Sequence, residues 1–126
     1  MVKIISFDEY FPIALKSCNK DDLIFVAELE NIIIGYFIIQ KGKEPAYFDD
    51  NLENWAEITE FQVHPQYQRK GIGAFLLHFA IERAKEKGYS NLYVCTDDFN
   101  KAGRSLYQKC GFQELNRIIR YRYALK

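Results

Sequence analysis

Residues 68–73 read QRKGIG, two cations and two glycines at the point where the sequence pattern changes from strand to helix. The preceding run, AEITEFQV, has the β-branched and aromatic content of a strand. The following run, AFLLHFAIERAKEKG, repeats its apolar residues at helical spacing up to Gly88. The stretch therefore predicts a strand, a glycine-containing turn and a helix in succession.

The turn combines features that favour the binding of a phosphate group. The first N–H groups of a helix have no partner within it and lie at the positive end of the helix dipole. Gly71 and Gly73 permit a close approach that side chains would prevent, and Arg69 and Lys70 add positive charge. Neither the P-loop nor the Rossmann fingerprint matches this spacing. The alternative is a turn that only packs the helix against the sheet.

The sequence pattern also predicts elements before and after this stretch. The pattern predicts a strand at 2–7, a helix at 8–18, a hairpin of 23–29 with 32–40, a loop at 41–55, a strand at 56–63, a turn at 64–70, a strand at 91–97, a short helix at 100–111 and one or two strands within 112–125. Because the strand at 91–97 follows a helix and short connections, it should lie parallel to the strand at 56–63.

The wider stretch VHPQYQRKGIG resembles the acetyl-CoA signature of the GNAT N-acetyltransferase superfamily. That signature has Gln or Arg, two residues, Gly, one residue and then Gly or Ala, which Gln68, Gly71 and Gly73 match. A second block, NKAGRSLYQKCGF, resembles the family pattern of Asn, two residues, Ala, two residues, Leu-Tyr and then Gly-Phe. Its matching residues are Asn100, Leu106, Tyr107, Gly111 and Phe112, whereas Gly103 stands in place of the alanine.

The resemblance implies an α/β fold of the GNAT type: a twisted, mainly antiparallel sheet with one parallel pair splayed apart at its centre and helices on both faces. It implies acetyl-CoA as acyl donor, no metal, and an N-terminal region shortened by one helix. The cofactor-binding residues that it implies are Phe61, Val63, Gln68, Arg69, Lys70, Gly71, Ile72, Gly73, Ala74, Asn100, Gly103 and Tyr107.

Transfer of an acetyl group to an amine requires a base, because an alkyl ammonium has a pKa of about 10.4. By resemblance, Glu60 or Glu57 takes the proton directly or through water, with Glu60 preferred. Residues three apart on a strand point to opposite faces unless a bulge intervenes. The resemblance also makes the N–H of Val63 the oxyanion donor and Tyr107 the general acid. Asn100 is expected to bond the pantetheine amides or to fix the loop before Tyr107.

Charge is distributed unevenly along a chain that is neutral overall. Residues 1–68 hold 5 Lys/Arg and 12 Asp/Glu, whereas residues 69–126 hold 12 and 5. The phosphates of CoA would meet the basic half, and a cationic amine the acidic half. The acidic residues that such an acceptor would pass are Asp49, Asp50, Glu53, Glu57 and Glu60. We therefore expect a small-molecule or peptide amine, such as a polyamine, a lysine or an N-terminus.

Length and composition set the remaining expectations. The 126 residues, 48% of them hydrophobic, fit a single domain with one core. No apolar run reaches the roughly 20 residues of a membrane span, and MVKIISFDEYF meets acids too early for a secretory signal, so a cytoplasmic protein is expected. Cys18, Cys95 and Cys110 lack disulfide or zinc spacing, and Cys95 is expected in the core. An edge strand at the aromatic C-terminus would suit a homodimer.

Other functions compete with acetyl transfer to an amine. A regulatory module would bind acyl-CoA without transferring the acyl group, and a related enzyme would transfer another acyl group or use an oxygen acceptor. A nucleic-acid binder would use NRIIRYRYALK, in which Arg120 and Arg122 share one strand face and Tyr121 and Tyr123 the other. We favour the N-acetyltransferase because a candidate base and acid accompany the two binding blocks.

Overall fold

Among the residues that the structure describes, six strands form one sheet and follow one another across it in chain order. They are β1 (Ile4–Ser6), β2 (Ile13–Ser17), β3 (Ile24–Leu29), β4 (Ile32–Lys41), β5 (Trp55–Val63) and β6 (Asn91–Val94). Neighbouring strands are antiparallel, except that β5 and β6 are parallel. Helix α1 (Ile72–Glu86) connects β5 to β6, so the predicted β-α-β unit is confirmed.

The computed structural model of the chain describes residues 4–6, 13–17, 23–42, 46, 48–49, 54–69 and 71–126. The chain divides into two compact units, Met1–Cys95 and Thr96–Lys126. The first unit contains the sheet and α1. The second contains helix α2 (Lys101–Lys109) and residues 112–126, which have no regular secondary structure. Neither α1 nor α2 is long and apolar enough to cross a membrane.

The core of the first unit lies between α1 and one face of the sheet. Phe25 of β3 is opposite Phe37 of β4, and their ring centroids are 5.4 Å apart. Phe79 of α1 contacts both rings, with centroid distances of 4.9 and 6.2 Å. Ile39 and Leu76 are also fully buried. Burial of these apolar side chains fixes α1 on this face, and the polar side chains of β5 project from the other.

The predicted helix at 8–18 is wrong where the structure describes it. Residues Ile13–Ser17 form β2, which pairs with β1 on one side and β3 on the other. The short sequence IALKS has no strong local preference, and Pro12 lacks the N–H that a helix interior needs. Pairing with β3 therefore decides the conformation. The other residues of this prediction lie outside the described ranges.

The predicted strands within 112–125 are also wrong, because these residues have no regular secondary structure. Alternating side chains favour a strand, but a strand forms only when its backbone has a hydrogen-bonded neighbour. Tyr121 and Tyr123 are 91% and 86% exposed. Arg117 and Arg120 contact Asp98 and Asp97 in ion pairs of 3.1 Å each.

Most of the remaining predicted elements are confirmed with small changes in their bounds, whereas the predicted loop at 41–55 lies mainly outside the described residues. The hairpin of β3 and β4, strand β5, the turn, α1 and α2 lie where the pattern placed them. Strand β6 ends earlier than expected, at Val94, and Cys95 beyond it is exposed rather than part of the core. Gly35 lies on β4 where the main chain of β5 and the side chain of Leu76 approach closely.

Replacement of Gly35 by alanine should destabilise the first unit. A Cβ there would lie 2.9 Å from the carbonyl oxygen of Gln62 and 3.1 Å from Cδ1 of Leu76. Because the strand and the packed helix can yield only by shifting, we expect Gly35→Ala to lower the free energy of unfolding by about 1–3 kcal/mol. Gln40→Ala, at an exposed position of the same strand, should change it by less than about 0.5 kcal/mol. Urea denaturation measures both, and equal effects would contradict the close approach.

Candidate functional site

A bulge in β5 places both candidate bases on the same face of the sheet. In the pairing with β4, Glu57 is opposite Gln40 and Glu60 is opposite Ile38, so Thr59 is the extra residue. Gln40 and Ile38 are two positions apart on β4 and share a face. Glu57 and Glu60 therefore also share that face, which is opposite the one covered by α1.

The two glutamates differ in their surroundings. Glu57 is half-buried, whereas Glu60 is exposed. Burial raises the pKa of Glu57 above its usual value of 4.5, because the charged carboxylate loses part of its hydration. A carboxylate with a raised pKa is the stronger base. The surroundings therefore favour Glu57, whereas the sequence analysis preferred Glu60.

Strand β5 continues beyond the end of its pairing with β6. The parallel pairing ends at Ile58 and Val94, and β5 runs on to Val63. The N–H of His64 donates to the carbonyl oxygen of Ile34 on β4, at 2.7 Å. Because successive N–H groups of a strand point to opposite edges, the N–H of Val63 is directed to the edge away from β4. This is the direction that an oxyanion donor at Val63 requires.

The turn that follows β5 ends at an open helix start. After a 3-10 turn at Pro65–Tyr67, Arg69 and Gly71 adopt left-handed φ angles of 64° and 84°. Gly71 is the N-cap of α1, and among the described residues no side chain caps it and no acid lies in the first turn. A Cβ on Gly71 would meet nothing within 4 Å. The helix start therefore has the open N–H groups that fit a pyrophosphate. Lys70 lies outside the described residues.

Two other residues of the predicted binding segment shape the turn. The Nε2 atom of Gln68 donates to the carbonyl oxygen of Val63 at 2.9 Å, which closes the turn onto the end of β5. Ile72 is 1% exposed, so its side chain anchors the first turn of α1 in the core. Its contribution to binding would come from its backbone N–H. Gly73 and Ala74 follow in the same turn and are half-buried.

In the second unit, Asn100 fixes the loop that leads into α2. Its Oδ1 accepts from the N–H of Gly103 at 3.1 Å, and its Nδ2 donates to Oγ1 of Thr96 at 2.8 Å. Both ends of the amide thus hold the local fold, which is one of the two roles expected for Asn100. A Cβ on residue 103 would lie 2.5 Å from Nδ2 of Asn100. In this structure the Asn100 amide therefore occupies the space that a side chain at position 103 would need.

Tyr107 lies on α2 and is half-buried. Its ring is 5.9 Å from that of Phe112, whose N–H donates to the Tyr107 carbonyl oxygen at 2.9 Å. Burial raises the pKa of Tyr107 above its usual value of 10, so the phenol stays protonated, as a general acid must be. Burial also raises the pKa of Cys110, which keeps its thiol protonated and disfavours a covalent acetyl-cysteine step.

The structure brings together on the face of Glu57 a group of residues that the sequence pattern does not connect. Tyr93 of β6 is opposite Glu57, and Trp55 lies two positions before it on β5. The rings of Phe48, Trp55 and Tyr93 are in mutual contact, with centroid distances of 4.8–5.6 Å. The Tyr93 hydroxyl donates to Oδ2 of Asp49 at 2.8 Å. We call Phe48, Asp49, Trp55 and Tyr93 the aromatic-acid cluster.

Both histidines are exposed. Nδ1 of His64 accepts from the N–H of Gln66 at 3.2 Å. Asp50 and Glu53 lie outside the described residues. Within the described ranges, no group of three or more His, Cys, Asp or Glu residues could hold a metal ion.

Comparison with known families agrees with this arrangement of strand, turn and helix. Residues 3–112 match the model of the Acetyltransferase (GNAT) family. The chain belongs to the GNAT family. The match includes β5, the glycine turn, α1 and the block with Asn100 and Tyr107.

Individual GNAT proteins are similar to this chain over different shares of its length. Streptothricin acetyltransferase A of Bacillus subtilis (strain 168) is 35% identical over 88 residues, which cover 70% of this chain and 46% of the relative. The chain thus spans about half the length of this curated relative. One similar solved structure is an aminoglycoside acetyltransferase from an uncultured soil metagenomic sample, in complex with sisomicin. It has a TM-score of 0.64 and 25% identity, and the match covers 82% of this chain and 65% of that chain.

A second solved structure contains CoA. This Bacillus subtilis acetyltransferase has a TM-score of 0.62 and 29% identity, and the match covers 71% of this chain and 53% of the other. The expectation of a mixed α/β fold of the GNAT type is therefore confirmed.

Alanine at position 103 should destabilise α2 only while Asn100 is present. Gly103→Ala displaces the capping amide, and we expect a loss of about 1 kcal/mol, similar to that of Asn100→Ala. In the Asn100→Ala background, Gly103→Ala should be neutral or stabilising by up to about 1 kcal/mol, because alanine is the better helix former. Urea unfolding of the four proteins gives the coupling energy. Ser105→Ala, at an exposed position of α2, is the control, and additive losses at 100 and 103 would contradict the contact.

Proposed function

We propose that the protein is an acetyl-CoA-dependent N-acetyltransferase, in which residues 1–126 act as one domain and a primary amine attacks the thioester directly in a ternary complex. The observation that carries the proposal is the course of β5. It leaves its pairing with β6 at Ile58 and leads, through a left-handed Gly71, into a helix start without a side-chain cap. Donors for a carbonyl oxygen and for a pyrophosphate thus lie on one continuous segment.

The binding roles follow from the direction of these donors. Acetyl-CoA supplies a thioester carbonyl and a pyrophosphate. The first N–H groups of α1 bind the pyrophosphate, and the positive charges of Arg69 and Lys70 add to the helix dipole. The N–H of Val63 donates to the carbonyl oxygen, on which negative charge develops as the amine attacks. Gln68 holds this donor and the turn together through its bond to the Val63 carbonyl oxygen.

We assign proton transfer to the carboxylates of β5 and, from the resemblance to the family pattern, to Tyr107. Glu57, or Glu60 through water, accepts the proton of the attacking amine, so that a nitrogen lone pair attacks the carbonyl carbon. The carbon–sulfur bond then breaks, and the thiolate of CoA takes a proton from the Tyr107 hydroxyl. The nitrogen loses its second proton to solvent as the amide forms, and the Tyr107 phenolate is reprotonated from solvent. Asn100 contributes indirectly, because it fixes the loop that leads into the helix of Tyr107.

The charge of the first unit supports a cationic amine as acceptor. No Lys or Arg occurs between Lys43 and Arg69, whereas this interval contains six Asp and Glu residues. Glu57 and Glu60 project from the same face of the sheet. An ammonium group is attracted to such a face at neutral pH. One structural neighbour was solved with an aminoglycoside, which is also a cationic amine.

The alternatives have less support. A regulatory module that only binds acyl-CoA would not need a half-buried carboxylate with a raised pKa on the open face of β5. A nucleic-acid binder would use Arg120 and Arg122, but the chain is neutral overall and Arg120 forms an ion pair with Asp97. Transfer of a longer acyl group would use the same donors for CoA and would differ only around the acyl chain.

Acetyl-CoA and CoA, but not ATP, should raise the melting temperature of the protein. A ligand that binds only the native state stabilises it by RT ln(1 + [L]/Kd), about 2.7 kcal/mol at 100 times Kd. Gly71→Asp should abolish this rise, because it places a carboxylate at the helix start. Gly88→Asp is the matched control, since Gly88 has a similar φ of 85° and equally open surroundings at the other end of α1. No rise at millimolar CoA, or an equal loss in both variants, would contradict the proposed site.

Replacement of Glu57 should remove the acidic limb of the pH profile. Protonated Glu57 cannot accept a proton, so kcat/KM should fall as the pH decreases through its raised pKa. Glu57→Gln should lower kcat/KM by roughly 100-fold or more and flatten this limb. Glu60→Gln, measured with the same amine so that the titration of the substrate cancels, should retain the limb. A profile that changes only in Glu60→Gln would assign the base to Glu60.

A further inference from the structure

The aromatic-acid cluster lies beside the proposed base, on the same face of the sheet. Tyr93 is the β6 partner of Glu57, and adjacent strands are about 4.8 Å apart. Trp55 precedes Glu57 by two positions on β5 and therefore shares its face. Phe48 and Asp49 reach this face from the segment between β4 and β5. The cluster thus lies next to Glu57 on this face of the sheet.

The aromatic rings form a packed support with fixed geometry. Each pair of rings meets edge to face, at interplanar angles of 78–87°. Trp55 also covers the main chain of Gly42, where a Cβ would lie 2.2 Å from its ring. In addition, the N–H of Gly42 donates to the Trp55 carbonyl oxygen at 2.8 Å. These contacts hold the ring faces of the cluster in place, and aromatic faces attract cations.

The carboxylate of Asp49 is held at the far end of the Tyr93 side chain. The Tyr93 hydroxyl donates to it at 2.8 Å, across 44 positions of sequence. Burial, together with this bond and the nearby negative charge, raises the pKa of Tyr93 to about 12, so the hydroxyl remains a donor throughout the physiological range. The carboxylate of Asp49 therefore lies about the length of a tyrosine side chain away from the sheet, whereas the Glu57 carboxylate lies closer to β5.

We infer that the aromatic-acid cluster binds a second ammonium group of the acceptor, so that the substrate is a diamine or polyamine rather than a monoamine. The inference rests on the proposed function, because it assigns the reacting amine to Glu57. That amine must lose its proton to react, whereas a second amine keeps its charge. Asp49 supplies a counter-ion for it and the rings supply π faces. A monoamine fills only the first of these positions.

The ratio of kcat/KM for 1,4-diaminobutane to that for butylamine tests the inference. We expect the protein to prefer the diamine by at least about tenfold, equivalent to 1.4 kcal/mol. Asp49→Asn keeps the size of the side chain but removes its charge, and should lower the ratio to within a few-fold of one. Asp49→Glu should restore part of the ratio. Tyr93→Phe keeps the ring but releases the carboxylate, and should lower the ratio less than Asp49→Asn.

A ratio measured on one enzyme separates binding of the second ammonium from a purely structural role. A loss of folded protein lowers both kcat/KM values equally and leaves the ratio unchanged. Glu30→Gln, in the β3–β4 turn, removes one negative charge elsewhere in the first unit and should also leave the ratio unchanged. An unmodified protein without preference for the diamine, or a ratio that Asp49→Asn does not change, would overturn the inference.

Binding measurements keep the inference testable if no amine is acetylated. Calorimetry with CoA present should give a lower Kd for 1,4-diaminobutane than for butylamine, and Asp49→Asn should remove the difference. Equal Kd values would overturn the inference even if CoA raises the melting temperature. Absence of the CoA effect, by contrast, would count against the proposed function itself.

Discussion

One extra residue, Thr59, controls the geometry of the site. By adding a bulge to β5 it turns Glu57 and Glu60 onto the same face, although their spacing would otherwise separate them. A bulge also increases the local twist of its strand. The pairing of β5 with β6 ends just before it, at Ile58. Beyond the bulge, the unpaired segment of β5 carries the Val63 N–H and the Glu60 carboxylate, and Glu57 lies just before it.

Glycines permit the close contacts on which this arrangement depends, each for a different reason. Gly35 gives β5 and Leu76 room to approach β4. Gly71 provides the left-handed conformation that starts α1 without a side chain in front of it. Gly103 leaves space for the Asn100 amide over the first turn of α2. Alanine would be a better residue for a strand or helix interior at two of these positions, so local propensity yields to packing and capping.

The charges of the two units are organised differently. In the first unit, Glu57 and Glu60 lie on the same face of the sheet as the aromatic-acid cluster. In the second unit, arginines are joined to carboxylates: Arg104 and Arg117 both contact Asp98 and Glu114. The excess of positive charge over residues 69–126 is therefore partly neutralised within the second unit. In the sequence, the cations closest to the proposed pyrophosphate site are Arg69 and Lys70.

The sequence by itself determined the elements with strong local signals: the β3–β4 hairpin, β5, the glycine turn, α1, the parallel β6 and α2 with Asn100 at its start. Hydrophobic periodicity, glycines and short connections specify these locally. Tertiary structure alone decided that residues 13–17 form a strand, that residues 112–126 do not, and that Glu57, Tyr93 and Asp49 meet on one face. Strand pairing and register depend on partners far along the chain, and a single bulged residue reverses which face a side chain occupies.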